Sequence, residues 1–316
     1  MSATTAVSAT IVATGLRRSF GSVPAVRDVS LRAEAGRVTG LVGPNGSGKT
    51  TLMLMLSSLL APDAGEISIG GFDPVEHPQE VRRILGWMPD SLGAWGSLSA
   101  RETLVITGRL YDATRDAARE RADDLLRLVD LETLAEAPAR VLSRGQKQRL
   151  GLARALVHDP LVLLLDEPAS GLDPEARVAL RVLLRRLADE GRAVLVSSHV
   201  LSELEEVADD AVFLLDGATV APDRVAAASR RRRAWRVRLA DAAPAASVSA
   251  VAHALHLDPA DLTAERLGVL VPLGSDGDAA SALRALVEAG LAVVEFAPAT
   301  GSLEHTLLDL RDGSPT

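Results

Sequence analysis

The run Gly43-Pro44-Asn45-Gly46-Ser47-Gly48-Lys49-Thr50 fits the pattern G-x-x-x-x-G-K-[ST], a composition able to cradle phosphate groups. Its glycines let successive backbone N–H groups turn inward, and a helix opening near Gly48 aims its positive end at the same point. Lys49 can then reach the β- and γ-phosphates as a compact charge, while the Thr50 hydroxyl can ligate Mg²⁺. The chemistry implied is binding of a nucleoside triphosphate with Mg²⁺ by Gly43 through Thr51. Of the 34 basic Lys and Arg residues, only Lys49 and Lys147 are lysines. An ammonium fits inside a loop too narrow for a planar guanidinium, which gives a chemical reason for Lys at position 49.

A second group of reactive side chains closes the apolar run Leu161-Val162-Leu163-Leu164-Leu165-Asp166-Glu167. A buried strand of this kind delivers both carboxylates to the carboxyl edge of a parallel sheet, where ligands bind in such folds. Asp166 is placed there to hold Mg²⁺, and Glu167 to polarise an attacking water as general base. Alone, the same acids would fit a helix N-terminus equally well. With the phosphate loop they form a hydrolytic set.

Leu142-Ser143-Arg144-Gly145-Gln146 contains a third pattern. Ser143 and Gln146 have capping-box spacing and can simply start a helix. The same helix end also exposes free N–H groups, with Gly145 permitting close approach, and so offers a second anion seat far in sequence from Lys49. One chain would then carry two phosphate-binding surfaces.

These groups need elements to hold them in place. Val38–Val42 reads as a buried strand entering the phosphate loop, and Leu52–Leu60 as a buried helix leaving it. Residues 99–155 are helical in pattern, opened by the capping box Ser99-Ala100-Arg101-Glu102. The apolar runs Leu161–Leu165, Ala193–Val196 and Ala211–Leu215 predict parallel strands buried on both faces, with a helix over Pro174–Leu187 between the first two. Beyond Asp216 the texture changes. An Ala-rich connector with Arg230-Arg231-Arg232-Arg233 leads into alternating Trp235, Val237 and Leu239, then into helix and strand patterns to Leu310.

Composition sets bounds. The hydrophobic fraction of 47% supports a sizeable core, and no apolar run reaches the ~20 residues needed to span a bilayer. The first residues lack a basic region followed by an apolar one, so a short disordered tail is expected and no targeting signal. Zero cysteines exclude disulfides, thiolate metal sites and a Cys nucleophile. A net charge of −8 argues against broad nucleic-acid binding. The four arginines fit a solvated connector better than a lipid or nucleic-acid contact.

Taken in order over Val12–Ala221, these motifs resemble the ATP-binding-cassette (ABC) ATPases. The phosphate loop matches at Gly43–Thr50, the signature at Leu142–Gln146 with Arg144 where the family usually has Gly, and the acidic strand at Leu161–Glu167. Ser170-Gly171-Leu172-Asp173 is similar to the family's D-loop, and His199 to its switch histidine. The resemblance implies an α/β fold: a P-loop NTPase (RecA-like) core, an antiparallel β subdomain, an all-helical signature subdomain and, here, a small C-terminal α+β domain. With the change of texture beyond Asp216, the expected organisation is a tail over 1–10, an ATPase domain over 11–222, a linker over 223–233 and an accessory domain over 234–316. The resemblance further implies two domains facing head to tail. Each ATP, with Mg²⁺, would be held by one phosphate loop and the opposite Ser143, Gly145, Gln146 and Asp173. His199 would contact the γ-phosphate, and Phe20 falls where the family stacks an aromatic ring on adenine, although a core role for it stays open.

One departure stands out. After Ile84-Leu85-Gly86-Trp87-Met88-Pro89 the family usually places Gln, and this chain has Asp90, a carboxylate that can also ligate Mg²⁺. The end segment Ser302-Leu303-Glu304 resembles the tail of ATPases that serve bacterial drug and polysaccharide exporters. The resemblance therefore implies a homodimeric exporter ATPase on the cytoplasmic face of the membrane, touching it through a separate membrane-spanning permease, with no direct nucleic-acid contact. The alternatives are a soluble ABC ATPase acting on ribosomes or DNA, and an importer ATPase. A single phosphate loop and no sustained heptad repeat weigh against the former, and Asp90 and the tail against the latter.

Overall fold

The computed structural model describes residues 10–91, 96–229, 232–240 and 244–312. The expected tail therefore lies outside the described residues up to position 9, as do Arg230 and Arg231 of the arginine run. The chain divides into two units, Met1–Val220 and Ala221–Thr316.

The first unit is built on one nine-stranded sheet of order β4-β1-β2-β9-β8-β3-β7-β6-β5. Its antiparallel half consists of β1 (Ile11–Phe20), β2 (Val23–Ala33) and β4 (Ala64–Ile69). The parallel half runs through β5 (Leu85–Met88), β6 (Val162–Asp166), β7 (Ala193–Ser197), β3 (Val38–Val42) and β8 (Asp210–Leu215). The two halves are continuous. The short β9 (Ala218–Thr219) pairs antiparallel with β8 and parallel with β2, and Gly217 O accepts from Arg27 N at 2.7 Å.

Every residue of β3, β6 and β7 is buried, which is why β6 and β7 read as apolar runs up to their last residues, Asp166 and Ser197. Burying each such Val or Leu is worth roughly 1.5–3 kcal/mol, so the strands that carry the site are anchored in the core. Helices α1 (Lys49–Leu56), α2 (Pro78–Ile84), α6 (Pro174–Asp189) and α7 (Leu201–Glu205) accompany this sheet. The expected helical block is α3 (Ala100–Leu110), α4 (Arg115–Leu128) and α5 (Arg144–Ala155). The Ser99 capping box forms as predicted, with Ser99 Oγ accepting from Glu102 N at 3.1 Å and Glu102 Oε2 accepting from Ser99 N at 2.8 Å.

The second unit opens with α8 (Pro222–Ser229), then runs β10 (Arg233–Leu239), α9 (Pro244–Leu255), β11 (Thr263–Glu265), β12 (Gly268–Leu273), α10 (Asp276–Glu288), β13 (Val293–Pro298) and α11 (Ser302–Asp312). Its antiparallel sheet has the order β11-β12-β10-β13, the split β-α-β arrangement. Val237, Val251, Val269, Val271 and Leu286 fill its core, while Arg236 and Arg238 pair with Glu265 and Glu295. The segment expected as a linker over 223–233 is not plain coil where it is described. Most of it is helix α8, packed against α11, because an Ala-rich run following Pro222 forms a helix readily, and Arg233 already belongs to β10.

Candidate functional site

Four neighbouring strand ends of the parallel sheet, β3, β7, β6 and β5, deliver the chemistry to one edge. β3 runs into the phosphate loop, β6 ends on Asp166, β7 ends on Ser197, and Asp90 follows β5. They surround a cleft of about 430 Å³ lined by Asn45, Gly46, Gly48, Lys49, Thr50, Thr51, Asp90, Asp166 and Glu167. Val23, Pro24 and Ala25 at the start of β2 close its other side.

The loop geometry explains its glycines. A Cβ at Gly43 would lie 2.5 Å from both the Leu214 carbonyl oxygen and Ser47 Oγ. Gly48 has φ +98°, and a Cβ there would lie 2.6 Å from the Ala25 carbonyl oxygen. Lys49 Nζ donates to the loop's own carbonyls, Gly43 O at 2.7 Å and Pro44 O at 3.1 Å. Burial holds this ammonium below the usual lysine range, opposed by the charges of Glu167 and Asp166. Ser47 Oγ is buried and has no hydrogen-bond partner among the described residues. A cradle too tight for side chains, an orphaned hydroxyl and an amine turned onto its own loop fit a polyphosphate.

The acidic strand end is tied together by hydroxyls. Ser197 Oγ donates to Asp166 Oδ1 at 2.6 Å, Thr50 Oγ1 donates to Asp166 Oδ2 at 3.2 Å, and Glu167 N donates to Ser197 Oγ at 3.1 Å. Burial pushes the Asp166 carboxyl above the ordinary carboxylate range, the Ser197 and Thr50 hydrogen bonds oppose this, and the charges of Glu167 and Asp90 add to it. A hard cation would relieve that crowding, and the hydroxyl–carboxylate donor set of Thr50, Asp166 and Asp90 suits Mg²⁺. Glu167 stands at φ +53°, and its Oε2 lies 2.5 Å from His199 Nδ1 and accepts from His199 N at 3.2 Å. The His199 side chain is 59% exposed, so one of its faces stays open to a ligand.

Other expected residues sit elsewhere. Phe20 is 50% exposed at the end of β1 with the Arg18 guanidinium 5.2 Å from its ring centre, which removes the core alternative; it does not line the cleft. Ser143, Gly145, Gln146 and Asp173 also do not line it. Ser143 and Gln146 form the expected capping box at 3.2 and 2.8 Å, and Gly145 packs against the Gly171 carbonyl, where a Cβ would come to 2.9 Å. Asp173 caps α6, with Oδ1 accepting from Ala176 N at 2.8 Å.

Two groups escaped sequence reasoning. Ser197 pairs in register with Asp166, and the signal available was a hydroxyl ending a buried strand. Gln148, whose Nε2 donates to Glu167 O at 2.7 Å, gave no signal beyond a polar residue on the buried side of α5.

Comparison with known proteins decides the family. The ABC transporter ATP-binding protein NatA of Bacillus subtilis (strain 168) is 37% identical over 199 residues, 63% of this chain and 81% of NatA. The chain belongs to the ABC transporter ATPases. The family described as "ABC transporter" matches residues 26–170. The Nod factor export ATP-binding protein I of Burkholderia lata (strain ATCC 17760 / DSM 23089 / LMG 22485 / NCIMB 9086 / R18194 / 383) is 38% identical over 206 residues, 65% of this chain and 68% of that protein. Among solved structures, the dimeric post-hydrolysis state of the ATP-binding cassette MJ0796 bound to ADP and Pi superposes with a TM-score of 0.61 at 26% identity, covering 67% of this chain and 97% of MJ0796. The P-loop NTPase fold and the ABC-type ATPase activity expected from the motifs are those of this family. No helix among the described residues is long and apolar enough to cross a membrane.

Proposed function

We propose that this ABC ATPase is the motor of an exporter, working as a homodimer on a separate membrane-spanning permease at the cytoplasmic face of the membrane. The observation that carries it is the convergence of Lys49, Thr50, Asp166 and Glu167 in one cleft, with His199 on Glu167, while the Ser143–Gln146 helix end stands outside that cleft. Such a chain has half of a nucleotide site at each of two places. A second copy supplies the missing half, in keeping with the dimeric form of MJ0796. Export is supported by relatives such as the Nod factor export protein.

Thr50, Asp166 and Asp90 would hold Mg²⁺, which when bound neutralises phosphate charge and orients the transferring group. The Gly43–Thr50 amides and Lys49 bind the phosphates, and the exposed ring of Phe20 is offered to the base. Glu167 takes a proton from the attacking water, and the neighbouring His199 fixes the direction of its carboxylate and meets the γ-phosphate. Ser143, Gly145 and Gln146 of the partner copy, with its Asp173, close the other side. Closure thus depends on a ligand that bridges two copies, and hydrolysis removes the bridge.

The expected outcome of Glu167→Gln is retained ATP binding with turnover lowered at least ~10²-fold, as for loss of a general base. Lys49→Ala should instead weaken nucleotide binding itself. Near-normal steady-state hydrolysis by Glu167→Gln would contradict the assignment.

A further inference from the structure

We propose that Gln148, in the second turn of α5, is a positioning residue for Glu167: its amide fixes the backbone that turns the Glu167 carboxylate into the cleft. The inference rests on the reading of Glu167 as general base.

Glu167 occupies left-handed backbone at φ +53°, which residues other than glycine rarely adopt. The sheet does not impose it, because the ladder between β6 and β7 ends with Asp166 opposite Ser197. Hydrogen bonds do. Glu167 N donates to Ser197 Oγ at 3.1 Å, and Glu167 O accepts twice, from Ser170 N at 3.0 Å and from Gln148 Nε2 at 2.7 Å. The Ser170 bond is local to the turn, so it moves with the turn. Among the described residues, Gln148 is the group that holds that carbonyl from a different element.

The setting of Gln148 supports a dedicated role. It is 5% exposed among the buried Leu150, Gly151, Leu152 and Ala153 of α5, so its polar end needs this partner to justify burial. Beside it a cavity of about 370 Å³ opens between α5 and α6. Helix α5 is attached to the catalytic loop near its first turn. Arg144 Nη2 donates to Ser170 Oγ at 2.6 Å, and Gly145 fits against the Gly171 carbonyl. Arg144, which stands where the family usually has Gly, thereby ties the same loop one turn before Gln148. The Ser143–Gln146 anion seat opens the helix whose second turn holds the Glu167 carbonyl, so displacement of that helix end shifts the base through Gln148.

The test uses the purified full chain, with steady-state ATPase, nucleotide binding and thermal melting. Gln148→Met keeps the shape and removes the donor; Gln148→Glu replaces the donor with an acceptor facing a carbonyl. Gln148→Met is expected to lower kcat about 10-fold with the KM for ATP within about twofold, as for misplacement of a catalytic group without loss of binding. Gln148→Glu should be lower still. In a Glu167→Gln background, Gln148→Met should change the residual single-turnover rate less than about twofold, because the group it positions is gone. Equal loss in both backgrounds, or a raised KM with kcat kept, would mean a structural role and overturn the inference. A normal kcat in Gln148→Met beside an inactive Glu167→Gln overturns the inference alone; an active Glu167→Gln overturns the base assignment and the inference with it. If Gln148→Met melts at much lower temperature than the wild type, Arg144→Ala at the exposed second tie must show the same loss confined to kcat, and its failure to do so is equally decisive.

Discussion

Asp166 shows how the site stores electrostatic tension. Burial, with the charges of Glu167 and Asp90, raises its carboxyl, so the fold holds the ionised form at a cost that a cation would relieve. A carboxyl whose folded pKa lies above its unfolded value contributes stability in full below the unfolded value and loses it as pH rises through the folded one. Without Mg²⁺ and nucleotide, Asp166→Asn should therefore melt above the wild type at neutral pH, and the gap should close as pH falls through the raised pKa. With Mg²⁺ and ATP the order should reverse, since only the wild type gains the metal. A melting difference that does not change with pH would contradict this account of Asp166. The reactive residues themselves were legible in the sequence because phosphate and metal chemistry restricts both type and spacing. Ser197 and Gln148 were not, because a hydroxyl and an amide acting through another residue carry no spacing of their own.

At the scale of elements, the phosphate loop separates two kinds of glycine. Gly46 has φ +81° with no atom within 4 Å of a Cβ, whereas Gly48 combines φ +98° with a Cβ position 2.6 Å from the Ala25 carbonyl oxygen. Gly46→Ala should cost only the backbone term of about 1–2 kcal/mol. Gly48→Ala adds a backbone clash that pushes the loop off β2, and should be more destabilising in urea unfolding and lose nucleotide affinity as well. Equal effects would mean that the contact with β2 does not matter. The strands buried on both faces and the capped helices were readable as apolar runs and capping boxes. The exposed three-residue β11, the short α2 and helix α8 were not: the first two are too short to show a period, and α8 lies in an Ala- and Arg-rich stretch that reads equally well as a solvated connector.

Over the whole molecule, the proposed function makes one chain half of a catalytic unit. The phosphate loop and acids share one cleft, while the helix end at Ser143–Gln146 lies outside it, a separation that the two sequence motifs foreshadowed by lying on different subdomains. What the sequence could not convey is how α5 reaches back to Glu167, since that depends on the curl of the chain around β6. The chain has no cysteines, so introduced thiols are the only ones present. Asn45→Cys in the phosphate loop and Val141→Cys, which is 64% exposed just before the signature, can be placed on separate chains in the Glu167→Gln background. Mixed with a short bis-thiol linker, these chains are expected to cross-link to each other when Mg²⁺ and ATP are present and not when they are withheld. Cross-linking indifferent to ATP, or none between chains that still bind ATP, would contradict the shared site.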